Sequence, residues 1–478
     1  MQQRMLISVY SLLGTRVRAC IIYIRRGLQC CCFELKAIPE PSWRNSSSAV
    51  PLFRVISTTA KQEFNIYKWL HNNKLTCLNM NNLKILFVID LYDNDTNGTT
   101  VSAKRFAEAL RKDGHIVRIL ATGEAADYQL AEYHLPLFDN LVHQQGFTFG
   151  RTNKRLMEEA IAWADIVHFY MPFGITVNGL KICQKMRKPH TAAFHVQPEN
   201  IISSIGLKDA NRLIDVLYGI MRRLIFDNFE HVHCPSQLIA DRLKRSRYQS
   251  TLHVISNGVL PEFKYNKCPK SDQFKDRFVI MMVGRLSQEK CQHVLIEAIQ
   301  KSKYSDRIQL ILAGQGPMHD RYEILAKRLP VMPILEYFSK EQLINLFGQA
   351  DLYVHSSDIE TEAIGCIEAF ACGLVPVISD SDRCAARQFA IDDRSLFLHG
   401  DSTDLAQKID YWIEHDDEKK VMEKQYAQLA KQYSLESSVQ KFERMLQRAI
   451  HDYYFSVEFM EAVEKYKAGR TLDNDVWE

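Results

Sequence analysis

The sequence predicts an α/β protein of two similar doubly wound domains, each a parallel sheet covered by helices on both faces. Three observations predict it. Strand-length apolar runs alternate with amphipathic helical segments from residue 80 onward. The runs are continuously apolar, as in strands buried on both faces. A polar segment, PEFKYNKCPKSDQFKDR (261–277), breaks the cycle once, after which it restarts. At 478 residues, 46% apolar and 24% charged, the chain can fill two or three cores, and its composition excludes a disordered, collagenous or disulfide-scaffold protein.

The first 79 residues stand apart. They carry 11 Lys and Arg against three acids, leaving 49 cations and 54 anions for the rest, and they hold five of the 12 cysteines. The net charge of +3 gives no reason to expect nucleic acid as a partner. MQQRMLISVYSLLGTRVRACIIYIRRG starts like a secretory signal, but Arg16 and Arg18 interrupt its apolar stretch and no small-residue cleavage site follows. Residues 1–79 are expected to be a poorly ordered extension or no part of the native protein, with Met80 as the biological start. No transmembrane helix is expected anywhere. The seven later cysteines, scattered singly in apolar stretches, are expected to be buried thiols in a reducing compartment, which places the protein in the cytoplasm.

KILFVIDL (84–91) reads as a buried strand, and NDTNGTT (94–100) as the turn after it. VSAKRFAEALRKDGH then sets Val101, Phe106, Ala109 and Leu110 on one helical face, stops at Gly114 and leads into the strand IVRILAT. The helix-then-strand unit recurs in EEAIAWADIVHFYMPFG, GLKICQKMRKPHTAAFHV and FEHVHCPSQLIADRLKRS with LHVISNGV, completing a first domain over 80–262. Residues 263–276 are expected to link it to a second domain, 277–450, which runs through RFVIMMVGRL, IQLILAGQG, EQLINLFGQADLYVHSS, a helix from near Ile364, and LVPVISD. The aromatic, amphipathic segment 451–478 is expected to cross back to the first domain. Ligands of such sheets sit beyond the carboxyl ends of the strands, so the loops there, facing an interdomain cleft, are where chemistry is sought.

In HSSDIETEAIGCIEAFACGLVPVIS (355–379), Glu360 and Glu368 are eight residues apart. Glu368 falls in the first turn of the helix and Glu360 in the loop before it. The amides of Ile364, Gly365 and Cys366 then point out of a helix N-terminus, which suits a phosphate. A loop carboxylate beside that anion can accept hydrogen bonds from a sugar, and one in the first turn can accept them from a ribose. VGRLSQEK (283–290) presents Arg285 and Lys290 at the same edge, where a planar fork and a point charge can neutralise a diphosphate. Gly284, Gly314 and Gly316 let backbone approach a ligand closely. In the first domain, Gly98 lies in the turn after the first strand, and His195 in AAFHVQPENI (192–201) lies just past a strand end. No Asp-x-Asp stands in the expected place and no His/Cys cluster is found, so neither a metal nor another cofactor is expected.

Together these residues resemble the retaining glycosyltransferases of family 4, which have the GT-B fold, over roughly 82–450. VGRLSQEK matches the family's G-R-x4-K element, and ETEAIGCIEAFACGLVPV its E-x7-E element followed by A-x-G-x-P-V. The resemblance implies that Arg285, Lys290, Gly98 and the amides of Ile364, Gly365 and Cys366 hold a donor diphosphate. It gives Glu368 to the ribose, and Glu360 and His195 to catalysis at the transferred hexose. One departure stands out: Thr361-Glu362-Ala363 occupy the place where the family has glycine, and Glu362 competes with Glu360 for the sugar. The implied reaction moves a hexose from a nucleotide sugar, UDP-glucose or UDP-galactose, to a lipid or glycan acceptor. The segments HFYMPFG and FHVQPENI look like those of bacterial enzymes making glucosyl-diacylglycerol, which makes diacylglycerol a candidate acceptor. A polysaccharide precursor is the alternative, and a sugar-nucleotide epimerase of the same architecture the more distant one. Lys181, Lys185, Arg187, Lys188, Arg222 and Arg223, mixed with apolar residues at helical spacing, suit peripheral contact with an anionic membrane, on the inner face of the cell membrane.

Overall fold

A computed structural model describes residues 80, 82–93, 97–134, 147–204 and 210–467, together with the backbone of 6–13, 16–24 and 28–35. In the extension, β1 (Leu6–Leu13), β2 (Arg16–Ile24) and β3 (Leu28–Leu35) form an antiparallel sheet in which Leu6 faces Tyr23 and Val17 faces Leu35. Regular structure here was not anticipated. The β-branched residues of RVRACIIYI favour a strand, and arginines that spoil an apolar helix do not spoil a ladder. Residues 36–79 lie outside the described ones.

Apart from Met80 and residues 447–450, both expected domains fall within one compact unit, Asn81–Leu446. The first domain opens with β4 (Lys84–Leu91), α1 (Gly98–Lys112), β5 (Ile116–Thr122) and β6 (Tyr128–Leu130). The small ladder of β7 (Glu132–Tyr133) with β8 (Phe149–Gly150) follows. The units α2 (Lys154–Trp163) to β9 (Ile166–Phe169) and α3 (Gly174–Met186) to β10 (His190–Ala193) come next. Finally α4 (Pro198–Ser204) and α5 (Asn211–Leu224) precede β11 (His231–Cys234), and α6 (Gln237–Arg245) precedes β12 (Thr251–Val254). The strands pair in parallel in the order β12-β11-β10-β9-β4-β5-β6. Every residue of β4 except Lys84 is buried, which explains its unbroken apolar run. Asn97 caps α1 by accepting from the Thr99 and Thr100 amides, so the NGTT end of that segment starts the helix, while 94–96 lie outside the described residues.

The second sheet is also parallel, in the order β15-β14-β13-β16-β17-β18. Its strands are β13 (Phe278–Val283), β14 (Ile308–Ala313), β15 (Ile334–Glu336), β16 (Leu352–His355), β17 (Pro376–Ser379) and β18 (Leu396–Phe397). Its helices are α7 (Gln292–Lys301), α8 (His319–Ala326), α9 (Lys340–Gln349), α10 (Ile364–Ala371), α11 (Ser402–Glu414) and α12 (Asp416–Ala430), before α13 (Leu435–Lys467). Strand order reverses between β4 and β9 in one sheet and between β13 and β16 in the other. These two switch points are where a doubly wound sheet opens a crevice.

Three expectations on connections change. The polar span 263–276 is docked rather than free: Phe263 and Phe274 are buried in the second domain's core, and the Lys270 Nζ lies 2.5 Å from Asp351. Its polarity comes from the residues between these two anchors. The chain passes between the domains instead at Ile255–Leu260, where the Val259 amide bonds to Tyr433 O at 2.8 Å and the Leu435 amide to Val259 O at 2.9 Å. The return to the first domain begins ahead of residue 451. Phe442 of α13 packs edge-on against Phe106 at 4.9 Å and Phe87 at 6.0 Å, contacts of the kind worth about 1 kcal/mol each beyond their burial. Of the seven cysteines from Cys183 onward, all but Cys268 are buried, and all are free thiols.

Candidate active site

The β13 and β16 strands pair side by side, Ile280 facing Leu352, so the loops after them leave the sheet together at the switch point. Backbone bonds stitch those loops. Ser356 Oγ donates to Lys290 O at 3.0 Å, and the Asp358 amide donates to Glu289 O at 2.8 Å. Asp358 is in turn clamped by Arg383 at 2.5 Å. The clamped loops bring the G-R-x4-K and E-x7-E elements into contact: the Lys290 ammonium bonds to the Glu360 carboxylate, while His355 Nε2 and Ser357 Oγ lie 3.4 Å from the same oxygen. Burial alone would raise the pKa of Glu360, but Lys290 and His355 outweigh it and hold the carboxyl at about 2. Glu360 is therefore an anion with a cation bound to it. Arg285 is half-buried at the same edge, and burial lowers its pKa against the opposing pull of Glu289.

Glu360 and Glu362 point in different directions. Glu362 is 1% exposed and turns toward the interdomain crossing, where its Oε2 accepts from the Asn257 amide at 2.8 Å. Burial pushes this carboxyl up to about 7, against bonds from Ser256 and Asn257. Glu360 thus faces Lys290, whereas Glu362 lies on the Arg105 side. Ala363, in the place of the family's glycine, takes the left-handed conformation at φ 70° and caps α10 without a side-chain bond. The amides of Ile364 and Gly365 stand at the open first turn. The third expected donor is spent, because the Cys366 amide bonds to Ala363 O at 3.0 Å.

The glycine expectations also change. A Cβ on Gly314, whose φ is +156°, would sit 2.1 Å from Gly284 O, and one on Gly316 would sit 2.3 Å from Leu286 O. Gly314 and Gly316 thus let the loops after β13 and β14 approach each other, joined by the bond from the Leu286 amide to Gln315 O at 2.9 Å, and so set the path of the Arg285 loop. Gly98, at the start of α1, and Gly284, at φ +151°, are the open ones, with nothing within 4 Å of a Cβ placed on either.

Glu368, expected in the first turn of α10, is its fifth residue and lies in the second turn because the helix starts only at Ile364; it is ion-paired across the cleft with Arg105 of α1, Nη2 to Oε1, at 2.8 Å. Burial raises its pKa and Arg105 opposes the rise. Ser102, one turn before Arg105, donates to Asn257 Oδ1 at 2.6 Å. Sequence reading missed Arg105, Asn257 and His355. Arg105 and Glu368 are 263 residues apart, and no local pattern marks a partner at that distance. His355 carried a signal, since it closes a strand five residues before Glu360.

His195 sits past β10, stacked on Tyr170 at 5.7 Å with His233 at 5.2 Å, and its Nε2 is buried without a hydrogen-bond partner. Burial, and then His233, lower its pKa well below the usual histidine range, so the ring is neutral. The following helix α4 runs beside the Gln288–Lys290 turn, which brings the His195 loop to the Lys290 side of the cleft.

Next in the chain, α5 buries Ile214, Tyr218 and Met221 and exposes Leu213, Val216, Ile220 and Leu224, the last two at 45% and 65%. These four follow at intervals of three and four residues and form one stripe, with exposed Arg212 and Arg223 along its border. Of the cations expected to meet a membrane, Lys188 and Arg222 are spent internally. Lys188 bonds to Ala162 O and Ala164 O at 2.8 and 2.6 Å, and Arg222 to Ser246 O at 3.1 Å. Among the described residues no helix is long and apolar enough to cross a membrane.

Comparison with known proteins matches both domains. Residues 265–433 match the family described as "Glycosyl transferases group 1", and residues 96–263 the family "Glycosyltransferase Family 4". The alpha-monoglucosyldiacylglycerol synthase of Streptococcus pneumoniae is 24% identical over 318 residues, 62% of this chain and 71% of that protein. The GDP-mannose-dependent alpha-mannosyltransferase of Corynebacterium glutamicum is 23% identical over 318 residues, 62% of this chain and 72% of that protein. Among solved structures, Anabaena HepE in complex with UDP and glucose is similar at a TM-score of 0.58, with 18% identity over 76% of this chain and 99% of that one.

Proposed function

Since the chain belongs to glycosyltransferase family 4 and is a glycosyltransferase of GT-B fold, we propose that it transfers a hexose from a nucleoside diphosphate sugar to a lipid hydroxyl at a membrane surface, with retention and without a metal. The observation that carries this reading is the meeting of Arg285, Lys290, Glu360 and the open first turn of α10 at one switch point. Breaking the bond from the anomeric carbon to the phosphate oxygen leaves its electron pair on the phosphate. Arg285, Lys290 and the Ile364 and Gly365 amides neutralise that charge, each such donor being worth roughly 3 kcal/mol. Glu360 accepts hydroxyl hydrogen bonds of the hexose. The acceptor oxygen bonds to the anomeric carbon, and its proton passes to the departing phosphate. Glu368 receives the ribose.

The α5 stripe supports a lipid acceptor. Apolar side chains bordered by arginines fit an anionic bilayer, each basic residue near the surface contributing about 1 kcal/mol. The kinship to the diacylglycerol-glucosylating enzyme of S. pneumoniae points to UDP-glucose and diacylglycerol as the first pair to try. The test offers UDP-glucose, UDP-galactose and GDP-mannose with phosphatidylglycerol vesicles containing diacylglycerol, or with saccharide acceptors. An α-linked glycolipid is expected, formed equally in EDTA. Product with saccharides alone would reassign the acceptor, and conversion of the donor to its epimer without any acceptor would overturn the reading. Val216→Glu with Leu224→Glu should abolish vesicle binding.

A further inference from the structure

We propose that Arg105 is a positioning residue of the donor site: it reaches over from the first domain to orient the Glu368 carboxylate and keep it charged for the ribose of the nucleotide. The inference rests on the donor reading above, which places Glu368 at the ribose. Arg105 Nη2 donates to Glu368 Oε1 at 2.8 Å, and its Nη1 donates to Gly258 O at 3.2 Å, so the guanidinium is fixed at both ends. The two side chains are 14% and 9% exposed, which makes this a desolvated pair rather than a surface one. Its base is rigid as well. Asn97 caps α1, Phe106 is fully buried, and Ser102 is tied to Asn257 at 2.6 Å.

Removing a counter-charge from a buried carboxylate leaves the charged form unsupported, and the group takes a proton instead. A protonated Glu368 has one fewer oxygen able to accept. The other titratable groups bearing on Glu368 are Tyr353 of β16 and Cys372 just past α10, and Glu362 lies within reach of Arg105; none of these is a cation. In this arrangement Oε1 is committed to Arg105, while Oε2 is left for a ribose hydroxyl. A charge-assisted hydrogen bond of that kind corresponds to about tenfold in affinity.

The test measures, by calorimetry on the full chain, the affinity for UDP and for GDP, each against its 2′,3′-dideoxy counterpart. Wild type is expected to prefer the ribose form by about tenfold. Arg105→Met should bring that preference down to the level of Glu368→Gln, Arg105→Lys should restore part of it, and Arg105→Gln carries the same expectation as Arg105→Met should the methionine variant not fold. A general loss of structure would weaken all nucleotides alike and leave their ratio unchanged. Full preference in Arg105→Met, tighter binding of every nucleotide in it, or a wild type that binds without preference would each overturn the inference. Wild type binding neither diphosphate would instead overturn the donor reading on which it rests.

Discussion

Replacing Lys290 with alanine tests the centre of the site. With His355, the pair it forms with Glu360 holds that carboxyl at about 2 instead of the ordinary 4.5, Lys290 being the largest of the lowering influences. At about 1.36 kcal/mol per pH unit, the difference corresponds to about 3 kcal/mol favouring the ionised, paired state at neutral pH. Breaking a buried pair from one side costs a similar amount, about 3–5 kcal/mol, because the remaining charge is stranded. Lys290→Ala should therefore destabilise the protein by about 3 kcal/mol, and Lys290→Ala with Glu360→Ala should recover part of that loss. Transfer should fall at least about a hundredfold in both, since the phosphate loses a cation and, in the double variant, the sugar loses its acceptor as well. Urea unfolding with initial transfer rates reads both quantities. Glu360 has a lowered pKa, so its contribution is complete above pH 4.5 and drains away as the pH falls toward 2; the gap between wild type and Lys290→Ala should close over that interval. A single variant within about 0.5 kcal/mol of wild type at pH 7, or a double variant whose cost is the plain sum of the singles, would refute the reasoning.

The buried histidines set an acid limit. His233 is lowered from 6.5 to about 4 by burial, and His168 and His195 shift the same way, so neutral rings stabilise the fold above pH 6.5 and that stability is lost as the pH falls toward 4. His233 alone accounts for about 3 kcal/mol, read as the difference between the unfolding profiles of wild type and His233→Phe so that the opposing protonation of Glu362 and Asp90, both pushed up to about 7, cancels; profiles that stay parallel between pH 7 and 4.5 would exclude this. Gly314→Ala should cost about 2–4 kcal/mol and raise the KM for the donor, because its Cβ would push the loops after β13 and β14 apart; unchanged stability and KM would contradict the packing role. Glu362→Gln should keep most transfer activity where Glu360→Gln loses it, and the reverse ranking in a transfer assay would return the sugar to Glu362.

Elements whose identity depends on local pattern were legible in the sequence. KILFVIDL, RFVIMMVGRL and IQLILAGQG became the strands β4, β13 and β14 because an unbroken apolar run in a βα unit has one stable place, between two helical layers. Lys290 and Glu360 were legible for the same reason, each closing a loop after a strand. What escaped depends on distance or on backbone detail. Arg105 looks like any surface cation of α1 until the second domain folds against it, and the role of Gly314 appears only when Gly284 lies opposite. The span 263–276 misled because its polar residues outnumber Phe263 and Phe274, although those two rings decide where it sits.

Glu360, Glu362 and Glu368 lie within nine residues, yet the fold gives them three different electrostatic situations. Glu360 has a lysine and a histidine at one oxygen and stays an anion; Glu362 accepts from Ser256 and Asn257, feels Arg105 least of all, and is pushed to about 7; Glu368 has a single arginine, borrowed from the other domain, against burial that raises it. The left-handed turn at Ala363 separates them, sending Glu362 toward the interdomain crossing while Glu360 stays with Lys290. On the proposed donor site, a phosphate entering this loop would share Lys290 with Glu360. The carboxylate would then be free to turn to a hexose hydroxyl only once the phosphate has taken up the lysine's charge. On that account sugar recognition at Glu360 depends on diphosphate binding, and a free hexose should bind far more weakly than the same hexose added together with a nucleoside diphosphate. Equal affinity with and without the diphosphate would show that the pair does not exchange.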